Sequence, residues 1–205
     1  MTNIKVVLFD ADGVIQTTPQ TWRSRLEALV GDPGKVTDFL ADVFEAEKPC
    51  LTGRGDFSVE LGKVLDRWHC QATVEEALEI WTIIEPDQEI LDVVARVRGQ
   101  GIHVALATNQ QNHRATIMTN LLGYSDLFDE LFFSCHLGYA KPDPEYFLQI
   151  MARLNLNTPD GLFLDDHLVN VQGAKGAGLH AEVYNLQSGA DDLCQLLTGY
   201  GIAIS

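Results

Sequence analysis

The stretch KVVLFDADGVI, residues 5–15, decides the fold. Its apolar residues 6–9 are typical of a buried strand, and the strand ends in Asp10 and Asp12 with Gly13 directly after them. Side chains alternate along an extended chain, so the two carboxylates face the same side of the strand end. Because two negative charges at that distance repel each other, the pattern predicts a bound cation or a shared proton.

Composition limits the classes of protein to consider. The chain has 205 residues, of which 46% are hydrophobic, enough for one α/β domain with an inserted lobe. Its formal net charge of −15 argues against a nucleic-acid partner, since neutralising phosphates along a duplex needs a basic face. A small phosphorylated substrate remains compatible with this charge if a metal ion and a few well-placed cations meet the phosphate.

The sequence also predicts a location. No apolar run approaches the roughly 18 residues that span a bilayer, and the N-terminus lacks a signal-peptide pattern. The four cysteines lie far apart without a C-x-x-C pair, which favours reduced thiols. We therefore expect a cytoplasmic protein without a membrane partner, and the sequence leaves its oligomeric state open.

Helical periodicity follows the first strand. The stretches TWRSRLEALV, VTDFLADVFEA, SVELGKVLDRW and VEEALEIW are amphipathic and are separated by Gly, Pro and Asp. They predict a helical insertion over residues 17–85, between core segments 1–16 and 86–205. Trp22, Trp68 and Trp81 lie on apolar helix faces and are predicted to form the core of this insertion.

Strand and helix patterns alternate after residue 86. The stretches IHVALATN, ELFFS, GLFLDD and HAEVY are typical of strands, with helical segments between them. This alternation predicts an α/β fold: a Rossmann-like, doubly wound parallel sheet with an inserted helical cap. Ligands of such sheets bind at the carboxyl ends of the strands.

Polar clusters follow these predicted strands at four places. They are DADGV with Asp10 and Asp12, LATNQ with Thr108 and Asn109, YAKPD with Lys141, and LFLDDH with Asp165 and Asp166. Each cluster alone is typical of a turn, a helix cap or a solvated loop. Their joint placement at the strand ends of one sheet predicts a single site.

The chemistry that these residues could perform together is phosphoryl transfer. Asp10 would attack phosphorus, and Asp12 would protonate the leaving oxygen and later activate water. Asp166, with Asp165 beside it, would supply the remaining acidic ligand of a magnesium ion. Thr108 and the backbone amide that follows it would hold a phosphoryl oxygen, and Lys141 would place a positive charge against the developing negative charge.

With these four motifs in order across nearly the whole chain, the sequence resembles the haloacid dehalogenase superfamily. The resemblance implies Asp10 as nucleophile, Asp12 as general acid and base, and Thr108 and Lys141 as phosphate ligands. It also implies magnesium held by the Asp10 side chain, the Asp12 carbonyl and the Asp166 side chain, with Asp165 close by.

Two further segments resemble parts of the same superfamily. The insertion is similar to its small helical cap, and within it LTGRGDFSVEL resembles a cap segment that precedes a helix. Arg54 in that segment is predicted to reach toward the substrate. Asn170, after the fourth motif, is predicted to shape the turn into the next helix.

The second aspartate indicates the reaction class. A dehalogenase forms an ester to carbon and needs no protonated leaving oxygen, so Asp12 favours phosphoester chemistry. We predict a magnesium-dependent phosphatase that hydrolyses a small phosphomonoester, such as a sugar phosphate or a nucleotide. A sugar phosphomutase and a catalytically idle, protein-binding relative remain as alternatives. We predict that His113 and Arg114, after the second motif, lie in a solvated first helical turn, with contact to the substrate as the alternative.

Overall fold

The computed structural model describes residues 3–204. The strands are β1 (Val6–Phe9), β2 (Gln16–Thr17), β3 (Glu85–Pro86), β4 (His103–Thr108), β5 (Glu130–Phe133), β6 (Gly161–Asp165) and β7 (His180–Val183). The α-helices are α1 (Gln20–Val30), α2 (Val36–Glu47), α3 (Phe57–Arg67), α4 (Val74–Leu78), α5 (Gln88–Gly99), α6 (Asn112–Asn120), α7 (Tyr124–Leu127), α8 (Ser134–Leu137), α9 (Pro144–Arg153), α10 (Leu168–Gly176) and α11 (Gly189–Gly199).

A five-stranded parallel sheet forms the centre of the molecule, in the order β5-β4-β1-β6-β7. Strand β1 lies in the middle, and its side chains enter two different apolar clusters. Val7 and Phe9 pack on one face of the sheet, and Val6 and Leu8 pack on the other. Burial on both faces explains why this strand is apolar throughout. The prediction of a doubly wound, Rossmann-like α/β fold is confirmed.

The helical insertion, residues 18–84, contains α1 to α4 and has an apolar core of its own. That core includes Leu26, Phe39, Phe57, Leu61 and Trp81. The chain enters and leaves the insertion through the antiparallel pair β2 and β3. The sequence did not predict this pair, because two residues on each side are too few to form a pattern.

Helix α11 near the C-terminal end also escaped sequence prediction. Its buried Leu193 and Leu197 belong to the same apolar cluster as Val93 and Val97 of α5. The helix therefore covers one face of the sheet together with α5. Along residues 3–204, no helix combines the length and apolar character needed to cross a bilayer.

Candidate active site

The sheet brings the polar clusters together at one edge. Asp10 follows β1, Thr108 ends β4, and Asp165 ends β6. Strands β4 and β6 are the two neighbours of β1, so these three side chains meet at the carboxyl edge of the sheet. Lys141 reaches the same edge from the loop between α8 and α9.

Lys141 lies between two carboxylates. Its Nζ atom is 2.7 Å from Asp10 Oδ1 and 2.7 Å from Asp165 Oδ2, and only 1% of its side chain is exposed. Burial alone would lower the pKa of Lys141, but the two carboxylates more than offset it, so the pKa is raised. The ammonium group therefore stays charged where a phosphate would arrive.

Asp165 orients this lysine. Its side chain is fully buried and also accepts hydrogen bonds from the backbone N–H of His167 (2.8 Å) and from Asn170 Nδ2 (3.1 Å to each oxygen). With Lys141, these donors occupy both carboxylate oxygens. In this structure the Asp165 side chain therefore holds Lys141 in place.

Asp10 carries a carboxyl group whose ionisation is costly. Burial raises its pKa to about 6; Lys141 opposes that rise, while the neighbouring charges of Asp165 and Asp12 add to it. A cation at this position would favour the ionised form, which is the form that acts as a nucleophile.

Asn109 holds the backbone of Lys141. Its Nδ2 atom donates to the Lys141 carbonyl (2.9 Å), and its Oδ1 atom accepts from the Lys141 N–H (2.8 Å). Thr108 beside it is buried, and its Oγ1 accepts a hydrogen bond from Gln110 Nε2 at 3.3 Å. The amide of Asn109 thus fixes the loop that carries the lysine.

Asp12 accepts hydrogen bonds from three side chains. Arg114 Nη2 lies 2.7 Å and Gln16 Nε2 lies 2.9 Å from its Oδ1, and Gln110 Nε2 lies 2.8 Å from its Oδ2. The Asp12 side chain nevertheless remains 42% exposed toward an adjoining cavity. It is therefore held in place and still open to a substrate.

The prediction that His113 and Arg114 are solvated was wrong. The Arg114 side chain is only 10% exposed because it pairs with Asp12. His113 is half-buried and donates from Nε2 to the Leu78 carbonyl oxygen in the insertion (3.2 Å). The partners of both residues are distant in sequence, so a local pattern could not reveal them.

Asp166 lies close to the loop after β1 because the residue next to it in that loop is a glycine. Gly13 has a φ of +84°, and a Cβ atom there would lie 2.5 Å from Asp166 Oδ2. The other oxygen, Oδ1, is 2.6 Å from His167 Nδ1. Asp10, the Asp12 carbonyl and Asp166 thus offer the all-oxygen donor set that Mg²⁺ prefers, so the residues fit the predicted ion.

Arg54 does not join this group. Its exposed side chain donates from Nε to Thr52 Oγ1 at 2.9 Å, and it is absent from the wall of the cavity described next. Sequence resemblance located the segment but not the direction of this side chain.

A cavity of about 540 Å³ lies between the sheet edge and the insertion. Its wall consists of Asp12, Thr18, Pro19, Gln20, Trp22, Arg23, Phe44, Glu47, Leu51, Trp81, Asn109, Gln110 and Arg114. The core contributes the polar end with Asp12 and Arg114, and the insertion contributes most of the rest. No sequence motif pointed to Glu47, the last residue of α2.

Glu47 is expected to make stability fall as pH rises. Burial raises the pKa of this half-buried carboxyl group to about 7, although Arg114 opposes the shift. Folded Glu47 therefore holds a proton that unfolded Glu47 releases near its ordinary pKa of 4.5, so stability falls as pH rises from 4.5 to about 7 and then levels off. Between pH 5 and pH 8 the free energy of unfolding should fall in both proteins, and the fall should be about 1–3 kcal/mol smaller in Glu47→Gln than in wild type.

Urea unfolding at both pH values measures this difference. Glu45→Gln on the same helix, with a 68% exposed side chain, is the matched control and should follow wild type. Parallel pH profiles for wild type and Glu47→Gln would contradict the assignment.

A family model for haloacid dehalogenase-like hydrolases matches residues 4–178. The chain belongs to this family. This match confirms the predicted superfamily and the predicted class of enzyme, a hydrolase.

Three individual relatives share between 17% and 28% sequence identity with this chain. The Phosphorylated carbohydrates phosphatase of Thermotoga maritima is 25% identical over 208 residues, covering 98% of this chain and 94% of that protein. The Sesquiterpene phosphatase astK of Aspergillus oryzae is 28% identical over 96 residues, which is 47% of this chain and about half (49%) of that protein. HAD family enzyme BT-2542 of Bacteroides thetaiotaomicron, solved with magnesium and inorganic phosphate, has a TM-score of 0.78 at 17% identity and covers 93% and 98% of the two chains.

Proposed function

We propose that this protein is a magnesium-dependent phosphatase that hydrolyses a small phosphomonoester through an aspartyl-phosphate intermediate. One observation carries the proposal: buried Lys141 bridges Asp10 and Asp165 while Asp12, two residues from Asp10, faces the cavity. In this proposal Asp10 is the nucleophile, Lys141 supplies the positive charge and Asp12 is the proton donor. The phosphatase names of the relatives support it.

The first step transfers the phosphoryl group to Asp10. An Asp10 oxygen forms a bond to phosphorus while the ester P–O bond breaks, and Asp12 gives a proton to the departing oxygen. Lys141 stabilises the negative charge on the phosphoryl oxygens. The three donors around Asp12 keep its carboxyl group beside the cavity during this transfer.

The second step releases inorganic phosphate. A water oxygen attacks phosphorus, Asp12 takes the proton of that water, and the bond between phosphorus and Asp10 breaks. Both aspartates return to their starting state. One residue thus acts first as an acid and then as a base at the same position.

Magnesium would be held by the Asp10 side chain, the Asp12 carbonyl and the Asp166 side chain. When bound, it would lower the repulsion between these carboxylates and the incoming phosphate. Gly13 is the residue that lets Asp166 come close enough to share this position.

The insertion, in this proposal, acts as a cap that covers the substrate. Gly53 has a φ of +69°, and a Cβ atom there would lie 2.5 Å from the Cys135 carbonyl oxygen of the core. His113 also contacts the insertion at Leu78. These close contacts hold the insertion against the core beside the cavity.

The relatives do not choose the substrate. Their names point to carbohydrate phosphates in one case and a sesquiterpene phosphate in another.

Phosphate release from a panel of esters tests the function. We expect wild type to release phosphate from at least one sugar phosphate, nucleotide or aryl phosphate with magnesium, and to lose this activity with EDTA. Activity that persists in EDTA would contradict the metal requirement. An isomerised sugar phosphate without phosphate release would indicate a mutase instead.

A further inference from the structure

The cavity has two chemically different sides. Its core side carries Asp12, Asn109 and Arg114, next to the position proposed above for the phosphate. Its insertion side carries five apolar residues, Pro19, Trp22, Phe44, Leu51 and Trp81, together with the polar Thr18, Gln20, Arg23 and Glu47. A volume of about 540 Å³ exceeds what one phosphate needs and suits a small-molecule leaving group.

Phe44 is a large apolar residue whose side chain is exposed. It lies on α2 with 46% of its surface exposed, although Val43 beside it is fully buried in the insertion core. Phe44 precedes Glu47 by three residues, so both lie on the helix face that lines the cavity. The Phe44 ring is therefore available for contact with a ligand in the cavity.

The two tryptophans of the wall are fixed by aromatic packing. The rings of Trp22 and Trp81 meet edge to face with centroids 6.1 Å apart, and Trp81 packs against Phe57 at 5.4 Å. The prediction that they form the insertion core is therefore only part of their role, since both also line the cavity. The packing therefore fixes the positions of these two rings before a substrate binds.

We propose that the leaving group of the substrate carries an apolar ring or chain that packs against Trp22, Phe44 and Leu51. The proposal rests on the phosphatase function proposed above and names its substrate class. A polyol would leave these three apolar side chains uncovered, so it would gain no hydrophobic stabilisation from them. Thr18, Gln20, Arg23 and Glu47 in the wall leave room for a few polar groups on an otherwise apolar substrate.

Matched alkyl phosphates test the proposal without a difference in leaving-group chemistry. We would compare kcat/KM for 2-phenylethyl phosphate and cyclohexylmethyl phosphate with that for glycerol 3-phosphate and sorbitol 6-phosphate. Wild type should favour the apolar esters by about tenfold or more. Phe44→Ala should reduce kcat/KM for the apolar esters by about tenfold and change the polyol esters less than about twofold.

Val59→Ala is the matched control, because Val59 is 53% exposed on the same insertion and lies outside the cavity wall. It should leave all four values unchanged. Preference for the polyol esters, or an equal loss on both classes in Phe44→Ala, would overturn the proposal.

Measuring the binding of compounds that cannot be hydrolysed tests the apolar leaving group independently of the phosphatase function. The fluorescence of Trp22 and Trp81 can follow titration with 2-phenylethylphosphonate, which cannot be hydrolysed, and with a glycerol phosphonate. Tighter binding of the phenyl compound supports the apolar leaving group even if no ester is hydrolysed, a result that would overturn only the phosphatase function. Equal or weaker binding of the phenyl compound counts against the substrate class whatever the turnover.

Discussion

Replacing Asp10 with asparagine should lower kcat by about 10,000-fold or more while the protein stays folded. The amide cannot attack phosphorus, so the covalent step is lost. Burial already makes ionised Asp10 costly, as its pKa of about 6 shows, and a neutral side chain avoids that cost. Lys141 keeps its second partner, Asp165, at 2.7 Å.

Two measurements separate the effect on catalysis from an effect on folding. Phosphate release gives the loss of kcat, and thermal unfolding should give a melting temperature no lower than that of wild type. Asp92→Asn, which removes an exposed carboxylate on α5, is the control and should keep full activity. Residual activity within about tenfold of wild type would rule out Asp10 as the nucleophile.

Replacing Lys141 with methionine should destabilise the fold by roughly 3 kcal/mol near neutral pH, in addition to abolishing activity. Methionine keeps the length of the side chain but leaves Asp10 and Asp165 without a positively charged partner in a site where they are 10% and 0% exposed. Breaking a buried ion pair from one side leaves an uncompensated charge, which is the main cost. Urea unfolding at pH 7.5 measures it.

The pH dependence of this variant identifies the cause. Protonation of the unpaired carboxylates relieves their repulsion, so Lys141→Met should regain stability relative to wild type as pH falls. Lys175→Met is the control, since Lys175 makes only a 3.9 Å contact with Glu182 and its side chain is 53% exposed. A loss of stability that is equal at pH 5 and pH 8 would point to packing rather than charge.

Local patterns were enough to predict the sheet and the residues at its edge. The run before Asp10 is apolar at every position because both faces of β1 are buried, and this is visible in four letters. Thr108 and Asp165 end their strands as the sequence indicated. Each of these inferences depended on residues that are neighbours in the chain.

Long-range contacts account for what the sequence did not reveal. Buried Arg114 donates a hydrogen bond to Asp12, which lies 102 positions earlier in the chain. The residues next to either one in the sequence do not indicate this pairing. Glu47 belongs to no motif, and only the folded insertion brings the end of α2 to the cavity wall. Arg54 is the opposite case. Its segment was recognisable from the sequence, but a hydrogen bond to Thr52, two residues away, sets the direction of its side chain.

Trapping the phosphoryl group on Asp10 tests the central claim most directly. The Asp12→Asn variant should be phosphorylated by an aryl phosphate, whose leaving group needs no proton, but should hydrolyse the intermediate slowly because its base is gone. After magnesium, substrate and an acid quench, mass spectrometry should find one added phosphoryl group on the peptide that contains Asp10. Aryl alcohol released by this variant in a burst without any phosphoryl group on that peptide, or with the group on another residue, would contradict the account.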